Sequence, residues 1–249
     1  MTASEPRPVR RRFFAGPPAL DRERVVFGPR EAHHIAHVLR LRAGARVVAF
    51  DGVREVEVEL ERVEPDVVAR RIGVPVVSSR PLEMTLLQGV ARGPRMDSVV
   101  RAATEIGMAA IHPVRTERAV ADPAPARVDR WRRIALESAR QCGRADIPDV
   151  RAPARLDEAL AALGPVDLLV IPWEEERRPI GAVIGGRAFA SAAVLIGPEG
   201  GLTVAEVDAA RRAGGETASL GPLMLRTETA GLATAAMLLY EGLLRRGPG

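Results

Sequence analysis

The chain has 249 residues, 47% hydrophobic but only 3% aromatic, which suits one large or two small globular domains with an aliphatic core. A single cysteine, Cys142, excludes an internal disulfide framework, and with only four histidines beside it no metal site is expected. All 36 basic residues are arginine and the formal charge is +4; residues 1–80 hold 15 Arg against 11 Asp and Glu, whereas the remainder holds 21 of each, so an anionic partner is expected for the N-terminal third.

The first residues, MTASEPRPVRRRFFAGPP, lack the apolar stretch of a secretory signal, and no run approaches the length of a membrane span. A cytoplasmic protein without a membrane partner is expected. Val25 to Phe27, Arg46 to Asp51 and the alternation Val56, Val58, Leu60 with glutamates between predict short strands, the last with one wet face. Asp51-Gly52 marks a turn, and Pro29 opens a helix, PREAHHIAHVLRL, among the strands. The pattern changes around Ser78-Ser79-Arg80-Pro81, which divides the chain into a small β-rich domain, residues 1–78, and a second domain, residues 79–249.

In the second domain the apolar runs Met84 to Val90, Ile111 to Val114, Leu168 to Ile171 and Ala193 to Gly197 alternate with helical stretches, the pattern of a mostly parallel sheet with helices on its faces. Met96, Val99, Val100, Ala103 and Ile106 mark the core face of one helix, and Trp131, Ile134, Ala135, Ser138 and Cys142 that of another. On the second helix Arg133, Arg140 and Arg144 share another face with Glu137 between them. An RNA-facing stripe and a self-neutralising solvated face both fit that pattern.

The stretch LIGPEGGLTVAEV, Leu195 to Val207, places a glycine-rich loop between a strand and the capping box Thr203-x-x-Glu206. Such a loop ordinarily cradles phosphate, but Glu199 in its middle would repel one, and neither common phosphate-loop motif is matched. From Leu220, LGPLMLRTETAGLATAAMLLYEG repeats the grammar, a Gly-Pro turn and then Thr227 and Glu228 at the mouth of an apolar helix. A third strand ends at Pro172 and runs into Trp173-Glu174-Glu175-Glu176. If these ends adjoin, backbone amides, aliphatic side chains and carboxylates form a pocket that suits a nucleoside with a cationic tail, such as S-adenosylmethionine.

Gly197-Pro198-Glu199-Gly200-Gly201, Leu220-Gly221 and Leu225-Arg226-Thr227-Glu228-Thr229-Ala230 together resemble the C-terminal signature of the RsmE family, the 16S ribosomal RNA uracil-N3 methyltransferases of the SPOUT superfamily. Arg11-Arg12-Phe13-Phe14, His33-His34 to Val38-Leu39-Arg40, Arg92-Gly93 to Met96-Asp97, Ala103 to Gly107, Pro113, Thr116-Glu117-Arg118 and Gln141 to Arg144 resemble the family in the same order. Arg92, Arg95 and Arg101 stand where the family carries lysine, and Ala119 where serine is common. The resemblance implies a PUA-like RNA-binding β-barrel followed by a SPOUT α/β domain with a C-terminal trefoil knot, and a homodimer acting on 16S rRNA of the small ribosomal subunit.

By the same resemblance, Pro172, Gly197, Glu199, Gly200, Gly201, Leu220, Gly221 and Leu225 hold S-adenosylmethionine, and Arg11, Arg12, Arg40, Arg92 and Arg144 contact RNA. Uracil N3 lies on the pairing edge, so the target base must be unpaired or flipped out. Its N–H proton must leave, and Arg226 is placed to stabilise the anion that results. Glu228 either accepts the proton or serves as a carboxylate favoured at a helix N-terminus, and Arg226 has an alternative as a structural ion pair. The spacing of His33, His34 and His37 could set two imidazoles on one helical face, with RNA contact or packing preferred over metal binding. Cys142 is expected on a buried stripe without a catalytic role.

Overall fold

The computed structural model describes residues 11–78, 80–119 and 123–246, in two compact units. One holds the described residues up to Ser78 together with Ala139–Ile147; the other holds Arg80–Ser138 and the residues from Pro148 onward. Ser79, at the expected boundary, and the arginine-containing residues 1–10 lie outside the described residues.

The first unit contains β1 (Arg12–Phe14), β2 (Arg24–Val26), a short helix α1 (Pro29–His33) that continues as a wider π turn (His34–Val38), β3 (Arg46–Phe50), β4 (Arg54–Arg62), β5 (Val68–Arg71) and β6 (Val76–Val77). The strands hydrogen-bond in the order β1-β3-β4-β5-β2, with β6 also on β4; all pairs are antiparallel except β1 with β3. Phe13 on β1 and Phe27 just after β2, from opposite ends of that order, meet edge to face with centroids 6.1 Å apart, so the sheet curls around its core.

The alternation in β4 resolves as expected: Val56, Val58 and Leu60 are buried. Glu59 between them and Glu61 just after are met by Arg46 of β3, Arg70 of β5 and Arg24 of β2. The Asp51-Gly52 turn closes because the Asp51 carboxylate accepts from the backbone N–H groups of Val53 and Arg54 at 3.0 and 2.7 Å. Burial alone would raise that carboxyl's pKa, but these donors and the Arg54 guanidinium outweigh it and lower it.

The return segment Ala139–Ile147 was not anticipated from sequence, and it carries two of the three arginines of the stripe, Arg140 and Arg144. Arg140 pairs with Glu31 at 3.1 Å, and Arg144 pairs with Asp146, which also accepts from the Ser78 hydroxyl. Both guanidiniums are thus neutralised within the unit. Cys142 needs a correction: it is exposed, because it occupies the last helical turn, beyond the buried Trp131, Ala135 and Ser138.

The second unit runs β7 (Glu83–Gly89), α2 (Arg95–Glu105), β8 (Ala110–Arg115), α3 (Pro125–Cys142, whose last turn belongs to the first unit), β9 (Asp149–Val150), β10 (Ala154–Arg155), α4 (Leu156–Leu163), β11 (Leu168–Pro172), α5 (Ile180–Ile184), β12 (Ser191–Ile196), α6 (Val204–Arg212), β13 (Gly215–Ala218) and α7 (Thr227–Arg246). Its strands pair in the order β10-β8-β7-β12-β11-β13 with β9 on β8, and every pair is parallel.

A parallel sheet must be covered on both faces, which is why its strands read as unbroken apolar runs. Leu87, Leu169, Ile171, Ala193 and Leu195 pack with Leu156 and Ala159 of α4 and Val207 and Ala210 of α6. On the other face α7 approaches so closely that a Cβ at Gly231 would stand 3.5 Å from both Leu86 and Ile196. Burial of each such leucine or isoleucine contributes about 2 kcal/mol. Strand progression reverses between β7 and β12, and a crevice opens at such a switch, at the carboxyl ends of the strands.

Candidate active site

Three strand ends converge there. The segments after β11 (Pro172 to Glu174), β12 (Gly197 to Leu202) and β13 (Ser219 to Arg226), with Arg95, line a cleft of about 790 Å³. Pro172, Gly197, Glu199, Gly200, Gly201, Leu220, Gly221, Leu225, Arg226 and Glu228, the residues singled out from sequence, all border it.

Glu199, the residue that made a phosphate cradle implausible, ties the glycine loop to the start of α2. Its Oε1 accepts from the Arg92 backbone N–H and from Arg95 Nη1, each at 2.9 Å. Partial burial works to raise its pKa, yet these donors prevail and hold it below the ordinary 4.5. Two glycines in the loop are dictated by its own geometry. A Cβ on Gly197 would stand 2.8 Å from the Gly201 carbonyl carbon, and Gly201 sits at φ +71°, where side chains are disfavoured. Arg118 donates to the Gly200 carbonyl at 2.8 Å, and the Thr203–Glu206 capping box forms as read from sequence.

Sequence reasoning missed Gln88, because it sits in an apolar strand with no motif of its own. This buried side chain donates to Thr227 Oγ1 at 2.8 Å, and that hydroxyl donates to the Gly197 carbonyl at 2.6 Å. The mouth of α7 is thereby fastened to the ends of β7 and β12. Trp173 and Glu174, expected at the third strand end of the pocket, also line the cleft. Arg211 stacks over the Trp173 ring at 5.3 Å, and Glu174 Oε1 lies 2.7 Å from where a Gly201 Cβ would be.

Arg226 and Glu228 differ from these framework residues. Arg226 is exposed and its guanidinium has no hydrogen bond or ion pair among the described residues, so the structural ion-pair alternative is not realised. Glu228 Oε2 is buried with no donor, as is Gln88 Oε1. Leu223 and Met224, which precede Arg226, are 77% and 86% exposed. The cleft thus offers backbone groups, aliphatic contacts, carboxylates at Glu174 and Glu228, and a cation, Arg226, without a partner among the described residues.

The arginines expected to contact RNA divide into two groups. Arg11, Arg40 and Arg92 are exposed. Arg12 is committed to Glu55 and lies over the Phe50 ring, and Arg144 is committed to Asp146, both with side chains little exposed. Both guanidiniums are held in little-exposed ion pairs, which are costly to break.

A fold of this kind with such a cleft defines a class. Residues 78–239 match the family model of the RNA methyltransferase domain, and residues 27–66 match that of the RNA methyltransferase PUA domain. Ribosomal RNA small subunit methyltransferase E of Bacillus subtilis is 30% identical over 231 residues, covering 87% of this chain and 90% of that relative. The protein of the same name from Mycobacterium bovis is 35% identical over 216 residues, 80% of each chain. The crystal structure of a ribosomal RNA small subunit methyltransferase E from Neisseria gonorrhoeae bound to S-adenosyl methionine superposes with a TM-score of 0.82 at 28% identity, covering 93% of this chain and 97% of that one. The chain belongs to the ribosomal RNA small subunit methyltransferase E family, with a PUA-like unit followed by a SPOUT-type α/β unit.

Proposed function

We propose that this chain methylates N3 of one uridine in the 16S rRNA of the small ribosomal subunit, with S-adenosylmethionine as the donor. When bound, the cofactor supplies a methyl group activated on sulfonium. The cleft suits it: the Gly197 to Leu202 and Ser219 to Leu225 segments present backbone groups, Ile196, Leu220 and Leu225 present apolar surface, and Glu174 presents a carboxylate for a cationic tail.

The observation that carries the reading is the Arg226 guanidinium, exposed at the cleft and without a partner among the described residues, in a cleft that Glu228 also lines. As N3 loses its proton, charge spreads to the flanking uracil oxygens, and a guanidinium fixed there lowers the barrier. Glu228 accepts the proton or orients Arg226. The chain's further task is to hold an unpaired base within attack distance and away from water. Arg11, Arg40 and Arg92 supply phosphate contacts, which fix register without reading sequence.

The same reading includes a homodimer and a trefoil knot at the C-terminal segment. Support for the dimer is the set of exposed apolar side chains Leu232, Met237, Tyr240 and Leu243 along α7. Support for the knot is the fastening of Thr227 to Gly197 and Gln88, which sets the last segment against the preceding loop. Among the described residues no helix is long and apolar enough to cross a membrane.

Incubation with unmethylated small subunits and labelled S-adenosylmethionine, followed by nucleoside mass spectrometry, tests the proposal. N3-methyluridine in 16S rRNA is expected; a 2′-O-methylated ribose, or no transfer at all, would contradict it.

A further inference from the structure

Gln88 lies on β7 with its side chain fully buried, and the hydrogen bonds around it fix which way its amide is turned. The Thr227 hydroxyl has one proton, which goes to the Gly197 carbonyl at 2.6 Å. Toward Gln88 it can therefore only accept, so the amide nitrogen faces it, at 2.8 Å. The same nitrogen donates to the Gly89 carbonyl at 3.1 Å, and both amide protons are spent. Oε1 is turned toward α7, where a Cβ at Gly231 would stand 3.7 Å from it.

The space that Oε1 faces is a small cavity of about 10 Å³ between β7, α2 and α7, on the scale of one water molecule. Its walls are otherwise apolar, formed by Leu86, Val99, Ala103, Ile106 and Met108 among others. Glu228, one helical turn before Gly231, lines both this cavity and the large cleft. Its Oε2 and the Gln88 Oε1 are both buried without a donor among the described residues. Two acceptors thus share one apolar space. A carboxylate has no proton to offer across it, whereas a carboxylic acid has one, and a single proton on Glu228 Oε2 satisfies both oxygens as an O–H donating to Gln88.

We propose that Glu228 takes the N3 proton of the uracil and that Gln88 is the positioning residue that holds the acid so formed. The N3–H bond breaks, its electron pair stays on N3, and the proton forms an O–H bond on Glu228 that donates to Gln88 Oε1. The proton then leaves to solvent through the cleft, which Glu228 also borders, and the carboxylate is restored. Gln88 is fixed beforehand by Thr227 and Gly89, so the acceptor does not have to be brought into place. This rests on the uracil reading above and decides between the two roles given there to Glu228. A carboxylate kept at the helix mouth for its charge alone gains nothing from an acceptor behind it.

The test is a double-mutant cycle in the full-length protein. Its readouts are melting temperature, S-adenosylmethionine affinity and single-turnover methylation of unmethylated small subunits with both ligands saturating. Glu228→Gln carries a permanent amide donor to the Gln88 oxygen. It should raise the melting temperature by about 2 to 4 °C, the effect of one buried hydrogen bond, and slow methylation about a hundredfold or more. In a Gln88→Met background the same substitution should bring no gain in melting temperature. Gln88→Met alone gives up the tie to Thr227, so its stability and cofactor affinity should fall. At saturation its rate should still fall about tenfold, with a larger solvent deuterium isotope effect, because the O–H has lost its acceptor. Weakened packing or binding would not enlarge that isotope effect. A melting temperature lowered by Glu228→Gln would overturn the pairing. So would a crystal structure of the parent with a water bridging the two oxygens, since both would then already have donors. A parental rate and isotope effect in Gln88→Met, from a parent that methylates N3, would overturn the role of Gln88 alone. A parent that leaves N3 unmethylated would instead overturn the functional reading.

Discussion

The two loops that follow β12 and β13 border the same cleft and are built on opposite terms. In the first, the polar groups that define its shape are taken: Glu199 by Arg92 and Arg95, the Gly200 carbonyl by Arg118, the Gly197 carbonyl by Thr227, and Thr203 by Glu206. In the second, Leu223 and Met224 are exposed and the Arg226 guanidinium has no partner among the described residues, while Ser219 and Thr227 on either side of them are hydrogen-bonded. A reaction site needs both kinds. One loop supplies a shape that does not relax when a ligand arrives, and the other supplies groups whose hydrogen bonds have not already been made.

Substitutions that disturb the fastened groups should therefore cost stability and cofactor affinity together, and loss of the Arg226 side chain should cost neither. The largest expected effect is at Gly197. An added methyl would overlap the Gly201 and Leu202 backbone at 2.8 to 2.9 Å, so Gly197→Ala should destabilise by about 3 kcal/mol and abolish S-adenosylmethionine binding in calorimetry. Normal affinity in that variant would remove the loop from the site.

Thr227→Val keeps the shape but strands the Gly197 carbonyl and the Gln88 amide, which should cost about 2 kcal/mol in urea unfolding. A neutral result would mean that the fastening between the loops carries no strength.

The smallest effect belongs to Glu199→Gln, about 1 kcal/mol, because the lost charge is partly exposed. Its sign with pH is fixed by the lowered pKa of Glu199. The contribution is present in full above the ordinary value of 4.5 and is lost as pH falls through the lower folded value, so stability falls with acidification. The glutamine variant should lack that component of the acid limb, and an unchanged pH profile would show that the tie is not formed in solution.

What could be read from the sequence follows the range of the interactions involved. The capping box at Thr203 and Glu206, the alternation in β4 and the strand ending at Pro172 are set by neighbours a few residues apart, and each was legible. The cleft was legible in part because the Gly197 and Leu220 stretches share one turn grammar; its particular residues were implied by the resemblance to the family. The pairing of Arg12 with Glu55 and of Arg140 with Glu31 joins residues 43 and 109 positions apart, so nothing local marked those arginines as occupied. Gln88 was hidden inside an apolar run. Strand β13, Gly215–Ala218, was missed because four residues with a glycine and a glutamate carry no periodic signal.

Single-turnover methylation by Arg226→Ala, at saturating S-adenosylmethionine and unmethylated small subunits, tests the division between holding and reacting loops most directly. The rate should fall roughly a hundredfold, about 3 kcal/mol in the barrier, and Arg226→Lys should rescue it poorly because a point charge does not reproduce a planar fork. Melting temperature and cofactor affinity should match the parent protein, as expected for a side chain with no internal partner. A parental rate, or a loss of rate matched by a loss of stability or cofactor affinity, would contradict the assignment of Arg226 to the chemistry.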